Sequence, residues 1–320
     1  MNTLSGIFLR DLSYYGTGGA CSVLYAPRSI DELAAAMQDI ARRGLPWFLL
    51  GRGANSLISD EPWSGAVITF VGMRGRRRLG DHGIECEAGV ENSEAARYAA
   101  ELCLSGLEFM YGMPGQMGAT TRMNARCYGG EMSQVVDRLT AVAPDGTVKT
   151  YSKSEIFLGY KRTIFGDNRE TIAAIELKLQ KSFKDAILRN MDTNLNDRTS
   201  RHQFASPSCG CVFKNNHDVG VSSGQLLEAC QVKGLRIGNA EVSPWHANFI
   251  FNKGASSRDI LELALQLREK VYLAYGVWME FEMELLGNFP AELVARVRER
   301  RPAAVKEEAL KLLRTGRNIP

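Results

Sequence analysis

The chain has 320 residues, 45% of them hydrophobic and 23% charged, an ordinary globular composition that excludes a disordered, collagen-like or disulfide-scaffold protein. The net charge is +3, but 8 Lys+Arg and 4 Asp+Glu fall in residues 288–320, a net of +4 that leaves −1 for residues 1–287. A nearly neutral body has no electrostatic footprint for nucleic acid, no run reaches the ~20 apolar residues of a membrane span, and no basic-then-apolar leader opens the chain, so a cytoplasmic protein is expected.

In chain order, Ser29-Ile30-Asp31-Glu32 reads as a capping box, followed at helical spacing by Leu33, Ala34, Met37 and Ala41 as far as Gly44. Trp47–Leu50 is short and apolar enough for a buried strand, and it runs into Gly51-Arg52-Gly53-Ala54-Asn55-Ser56. Residues 64–71 read as another strand, Asn92 or Ser93 opens a second helix, and Asp145-Gly146 between apolar segments marks a hairpin. Residues 184–201 read as a polar helix, Gln225–Val232 as a short amphipathic one, and Ser257 as the cap of a longer one that ends at Gly276. Val277, Met279, Phe281, Met283 and Leu285 then alternate with Trp278, Glu280, Glu282 and Glu284, the period of a half-buried strand with three carboxylates on one face. From Pro290 the chain reads as one or two basic amphipathic helices broken at Pro302.

Of 31 glycines, 14 lie between Gly51 and Gly130, and glycine is used where backbone turns sharply or approaches a ligand. Strand, then Gly51-x-Gly53-x-Asn55-Ser56, puts a donor-rich turn at a strand end, as phosphate binding requires. The run lacks the third glycine of a Rossmann fingerprint and the Gly-Lys-Ser/Thr of a P-loop, and an ordinary tight turn is the alternative. Gly112, Gly115 and Gly118, with Pro114 fixing the entry, form a second such segment, which continues through Met123-Asn124-Ala125-Arg126-Cys127-Tyr128-Gly129-Gly130.

A third segment, Pro207–Asn216, sets Cys211 beside Lys214 and Asn215; Cys211 is either a small buried hydrophobe or the neighbour of an anionic ligand. His246 in Trp245–Asn252 reads as a structural histidine or a ligand contact. The seven cysteines are scattered and read as reduced thiols, and the Cys209/Cys211 pair lacks the second pair that a zinc site needs.

In this order the segments resemble the UDP-N-acetylenolpyruvoylglucosamine reductase (MurB) family. Leu50–Leu57 looks like its LGGGSNLL loop, Gly106–Gly115 its GLEFxxGIPG and Met123–Gly129 its MNAGAYG. Gly210–Asn215 is similar to GSxFKN, and Val242–Phe249 to VSxxHANF. The likeness runs from about Thr17 to Gly287, and the absence of a large insertion resembles the shorter, type II form. It implies an α+β fold: a two-subdomain FAD-binding module (1–75 and 76–182), a substrate-binding domain (183–287) and, outside the family pattern, a basic helical tail (288–320) able to contact another protein.

The implied activity is NADPH-dependent reduction of UDP-N-acetylglucosamine enolpyruvate to UDP-N-acetylmuramate in peptidoglycan precursor synthesis, with FAD as cofactor and the UDP-sugar as small-molecule partner. The implied FAD contacts are Gly51, Arg52, Gly53, Ala54, Asn55, Ser56, Leu57, Pro114, Gly115, Met117, Gly118, Ala119 and Asn124. Tyr160, Lys214, Asn215, His246 and Asn248 are implied for the substrate. The family's proton-donating serine falls on Cys211, a thiol more acidic than a hydroxyl, and its glutamate on Glu282. Its catalytic arginine falls on Lys161, followed by Arg162; neighbours on an extended strand face opposite ways, so register favours Lys161, and Arg162 is the alternative if a bulge shifts the strand. Further departures are Ala119, Thr120, Arg126 and Asn216. A flavin oxidase sharing the Gly51 and Gly112 loops is one alternative, and the changes at Arg126, Lys161 and Cys211 leave open a non-catalytic flavin or sugar-nucleotide binder of the same fold.

Overall fold

The computed structural model describes residues 3–302 and 304–314. The chain forms two compact units: the first holds the residues up to Ile7, Cys21–Arg52 and Ser64–Arg198, and the second Phe8–Ala20, Gly53–Trp63 and the chain from Thr199 onward. Both mix helices with sheets, the α+β character expected. The chain crosses from one unit to the other inside the first glycine loop, between Arg52 and Gly53.

In the first unit, helix α1 (Ile30–Arg42) starts where the capping box places it. Ser29 accepts from the Glu32 amide, and Leu33, Ala36, Met37 and Ile40 are buried. They pack against a sheet in which Trp47–Leu50 lies parallel to Trp63–Thr69, with Ala20–Tyr25 on its far side. A second sheet is antiparallel, in the order Val148–Ser152, Val136–Val142, Thr171–Lys178, Gly83–Glu87, Arg76–Leu79, and its first two strands are the Asp145-Gly146 hairpin. Helices α2 (Asn92–Glu101), α3 (Met117–Arg122) and α4 (Lys184–Ser200) complete the unit. Alanines 95, 96, 99 and 100 of α2 go into a second apolar core with Ile84, Leu139 and Ile175 of that sheet.

The second unit is built on α5 (Ser223–Ala229), the 19-residue α6 (Ser257–Tyr275) and the short ladder Arg236–Ile237, Ala240–Val242, Ile250–Asn252. Here the alternating run departs from expectation. Val277, Met279 and Met283 are buried in the predicted alternation, yet only Glu284–Leu286 forms a strand, parallel to Ser56–Ile58. Upstream the run makes a single antiparallel bridge, Phe281 to Phe213. It changes partner part-way, so no continuous ladder forms.

The tail gives two helices, α7 (Ala291–Arg298) and α8 (Glu307–Arg314), with the break around Pro302; Ala303 and residues 315–320 lie outside the described residues. It packs on its own unit. Leu293 and Leu310 enter the core, and Arg314 donates to the Val219 carbonyl.

Gly276 ends α6 in the left-handed region at φ +67°, and a Cβ there would overlap the Ala304 carbonyl of the returning tail. Gly276→Ala should therefore lower unfolding free energy by about 1–3 kcal/mol, read from the urea midpoint at unchanged slope.

Candidate functional site

The first unit assembles the glycine segments. Gly51 follows its strand and lies against Gln116 and Ala119, so a Cβ at 51 would sit 3.4 Å from Gln116 Oε1. Met117 and Gly118 donate backbone N–H to Val90 and Ala88, Gln116 Nε2 donates to Gly89, and Asn92 caps the turn through Met113 and Thr120. Gly115 is at φ +141°, and a Cβ on Gly118 would come within 2.8 Å of Ala88. Arg52 pairs with Glu91 at 3.4 Å. Pro114 is half-buried and Ala119 exposed, whereas the Met117 side chain is wholly buried and its N–H is already bonded to Val90.

Asn124, at φ +46°, is also buried. Its amide donates to Glu131 (2.5 Å) and to the Gly159 carbonyl (3.2 Å). It thereby pins the hairpin Phe157–Gly159/Arg162–Thr163, whose turn is Tyr160-Lys161. Lys161 sits at φ +51°, its ammonium 5.9 Å from the Tyr160 ring. The premise of an extended strand through 160–162 is corrected: Lys161 is a left-handed turn residue, Arg162 is the exposed first residue of the returning strand, and the ladder is irregular there. Arg126 is exposed on a two-residue strand opposite Glu131. A cavity of about 620 Å³ beside α4, lined by Ser105, Glu108, Tyr128, Lys178 and Asn194 among others, contains none of the expected site residues.

In the second unit, Gly53 is at φ +61°, and a Cβ would meet Ser13 at 2.8 Å. Ala54 and Ser56 are half-buried, and the Leu57 side chain is wholly in the core. Asn55 is a structural link: its amide donates to the Glu282 carbonyl (3.0 Å) and its carbonyl accepts from Glu284 N–H (2.9 Å). Glu282 N–H donates in turn to Val212 (2.8 Å), and Lys214 N–H to Glu280 (2.9 Å). The Lys214 ammonium lies 2.6 Å from the Glu280 carboxylate. Cys211 and Glu282, both half-buried, thus stand on bonded neighbouring segments.

Cys209, buried behind them, has its thiol pushed well up, first by burial and then by Cys211 and Glu282, and it shares a hydrogen bond with buried Tyr15. Tyr15 OH also donates to Ile250 O (3.0 Å). The spacing Cys209-Gly210-Cys211 pointed to the first of these partners; nothing local pointed to Tyr15.

Asn248 and His246 turn inward. The Asn248 side chain accepts from Phe213 N–H (3.0 Å) and donates to Phe213 O (2.9 Å), so its amide is spent on the backbone beside Cys211. His246 Nδ1 accepts from the Asn248 backbone N–H, and the ring lies 4.6 Å from Phe249. Asn215 Oδ1 accepts from Ser223 N–H at the start of α5, and Asn216 caps the turn at 217–219.

The chemistry of these segments fits a dinucleotide flavin. In the first unit Gly51 flanks the side-chain oxygen of buried Gln116, which has no hydrogen-bond partner among the described residues. A buried acceptor without a donor costs ~1–3 kcal/mol, and hydroxyls or a ring N–H of such a cofactor would satisfy it. Gln116 was not among the expected contacts, although a lone polar residue inside a glycine-rich turn is itself a signal.

Two family models cover most of the chain. Residues 21–152 match an FAD binding domain, and residues 202–286 match the C-terminal domain of UDP-N-acetylenolpyruvoylglucosamine reductase. The first unit therefore carries a flavin-binding fold. The UDP-N-acetylenolpyruvoylglucosamine reductase of Borreliella burgdorferi is 34% identical over 281 residues, 87% of this chain and 93% of that protein. That of Streptococcus pneumoniae is 31% identical over 88% and 92%. The crystal structure of the Thermus caldophilus enzyme superposes with a TM-score of 0.73 at 30% identity, covering 89% of this chain and 99% of that one. The chain belongs to the UDP-N-acetylenolpyruvoylglucosamine reductase family.

Burial, and then the positive charges of Arg201 and Lys233, hold His246 below its ordinary value of 6.5. The unfolded chain then binds that proton more readily than the folded one, so stability falls as pH drops below about 6.5. Urea midpoints measured between pH 5 and 7 should show this slope in the parent and a flatter one in His246→Gln.

Proposed function

We propose that the protein reduces the enolpyruvyl ether of UDP-N-acetylglucosamine enolpyruvate to UDP-N-acetylmuramate, with NADPH as the reductant, in the cytoplasm. Bound FAD supplies the hydride. The observation that carries the reading is that the segments bearing Cys211 and Glu282 are bonded through Val212, with the charged group of Lys214 beside Glu280.

Hydride addition at the terminal alkene carbon places negative charge on the carbon beside the carboxylate, and one proton must then arrive at that carbon. Cys211 supplies it. Its sulfur–hydrogen bond breaks as the carbon–hydrogen bond forms, and the thiolate is reprotonated from solvent before the next cycle. Glu282 holds the polarity of that region. Buried Cys209, held well above the usual thiol range, stays protonated and adds no second negative charge.

Tyr160 and the cationic hairpin tip, Lys161 or Arg162, serve the substrate carboxylate, as do Lys214 and Asn215 the UDP-sugar. The left-handed turn at Lys161 gives its ammonium a different approach from that of a strand residue. As a point charge, Lys161 does not reproduce the two-pronged grip of an arginine. Arg52, Ala54, Ser56, Gly115, Gly118 and Ala119 serve FAD, mainly through backbone groups. Residues 1–75 and 76–182 are the proposed flavin subdomains and 183–287 the substrate domain. Asn55, Asn124, His246 and Asn248 are reassigned from ligand contacts to supports of the residues that make them.

Purified protein should carry a yellow flavin spectrum and oxidise NADPH only when UDP-N-acetylglucosamine enolpyruvate is present. Cys211→Ser should retain turnover, and Cys211→Ala should lose about 10²-fold or more in kcat at unchanged flavin content. No turnover by the flavin-loaded parent overturns the function, and parent rates in both variants overturn the donor.

A further inference from the structure

The matched family region ends at residue 286, and the relatives are covered over 92–99% of their own length while 11–13% of this chain lies outside. The tail is thus an addition, and its contacts converge on one side chain. Arg268 of α6 is 1% exposed, and no carboxylate among the described residues pairs with it. Its guanidinium instead donates to the last carbonyls of α7, Val297 O at 3.1 Å and Arg296 O, where the helix dipole is negative. Its central carbon lies 4.1 Å from the centroid of Trp278 and 4.8 Å from that of Phe281.

Trp278 is held from the same side. Its indole N–H donates to Glu299 O at 2.9 Å, and Arg301, paired with Glu269 and Glu299, lies 4.4 Å from its centroid. Phe281 packs on Phe213 with centroids 4.9 Å apart and bridges it through the backbone. Its neighbours Glu280 and Glu282 make the bonds to Lys214 and Val212.

Glu299 is near enough to act on Arg268 by charge but forms no ion pair with it, and a buried cation without a direct partner is costly unless its donors and its ring contacts replace water. Removing the tail carbonyls would leave those donors buried and unpaired. The run 277–283 lies in no continuous ladder; its backbone is bonded to Lys214 and Val212 at Glu280 and Glu282, and the side chains of Trp278 and Phe281 add to that hold.

We propose that the segment after Leu286 is a brace for the candidate active site and that Arg268 is the positioning residue through which it acts: α7 carbonyls fix the guanidinium, the guanidinium fixes Trp278 and Phe281, and Phe281 sets Glu282 against Val212. This rests on the roles given to Cys211 and Glu282.

The test uses full-length Arg268→Met and Arg268→Lys, followed by hydrogen–deuterium exchange, flavin content and steady-state kinetics. In Arg268→Met, amide exchange should rise at least tenfold in 277–283 and 211–214 and stay at the parent rate in 30–42 and 92–101. Flavin content should be unchanged, kcat should fall about tenfold, and KM for NADPH should move less than twofold. Lysine keeps the charge but not the planar fork, so Arg268→Lys should fall between methionine and parent.

Parent-like exchange in 277–283, or a parent-like kcat, overturns the proposal. So does loosening spread evenly over 199–302, the mark of a merely structural residue. Should the methionine variant not fold, Trp278→Phe, which loses the bond to Glu299, is read by the same criteria. If the flavin-loaded parent shows no turnover, the proposed activity fails alone and the exchange pattern still decides the brace.

Discussion

Val212 and Phe213 are buried backbone outside any regular sheet, and buried amides and carbonyls must find partners. Here they come from two directions. The Asn248 side chain takes both polar groups of Phe213 while its carbonyl takes Val212 N–H, and the backbone of Glu282 takes Val212 O from the other side. The arrangement around the candidate donor depends on this double satisfaction. Because Cys211 and Lys214 flank the clamped pair, their side chains leave a fixed backbone. Because Glu282 contributes one of the clamping bonds, its carboxylate is tied to the same frame.

The clamp also accounts for where the polar residues of the second unit go. Asn55 secures the far edge of the 280–284 segment, His246 secures Asn248, and Asn215 secures α5. Each bond of this kind contributes only ~1 kcal/mol, but losing one partner strands a buried group at greater cost. Such networks favour a single geometry more than they add stability. The glycine loops are built the other way. At Gly118 the missing side chain lets the backbone pack on Ala88, and at Gly51 it leaves the buried Gln116 oxygen uncovered, which suits a cofactor gripped by its polar atoms.

Elements whose signal is local were legible in the sequence. The Ser29 cap and apolar spacing of α1 and the Asp145-Gly146 hairpin formed as read, because each is decided within a dozen residues. The run from Val277 was half legible. Its alternating burial is a local property, but its partners, Phe213 and Ser56–Ile58, are set by tertiary contacts, and so the expected strand shrank to three residues. Lys161 was misread because strand logic was applied to a residue that closes a turn. The motif likeness named candidate site residues but carries no information on which of their polar groups are used inside the protein. Asn248 and Asn55 carry the same amide chemistry either way, and only their hydrogen-bond partners separate the two uses.

Trp278 shows the same limit from the opposite side. In the period-two pattern it shares the face of three glutamates, where a solvated residue is expected, yet its ring covers a buried arginine. An aromatic on a carboxylate face is an inconsistency that calls for a cation, and a cation in turn needs acceptors. Those acceptors are carbonyls at the end of α7, about 30 residues away in sequence from Arg268. No feature of the alternating run specifies that distance. The tail's basic charge, which suggests an outward-facing appendage, obscures it further, because the groups doing the holding are its uncharged backbone oxygens.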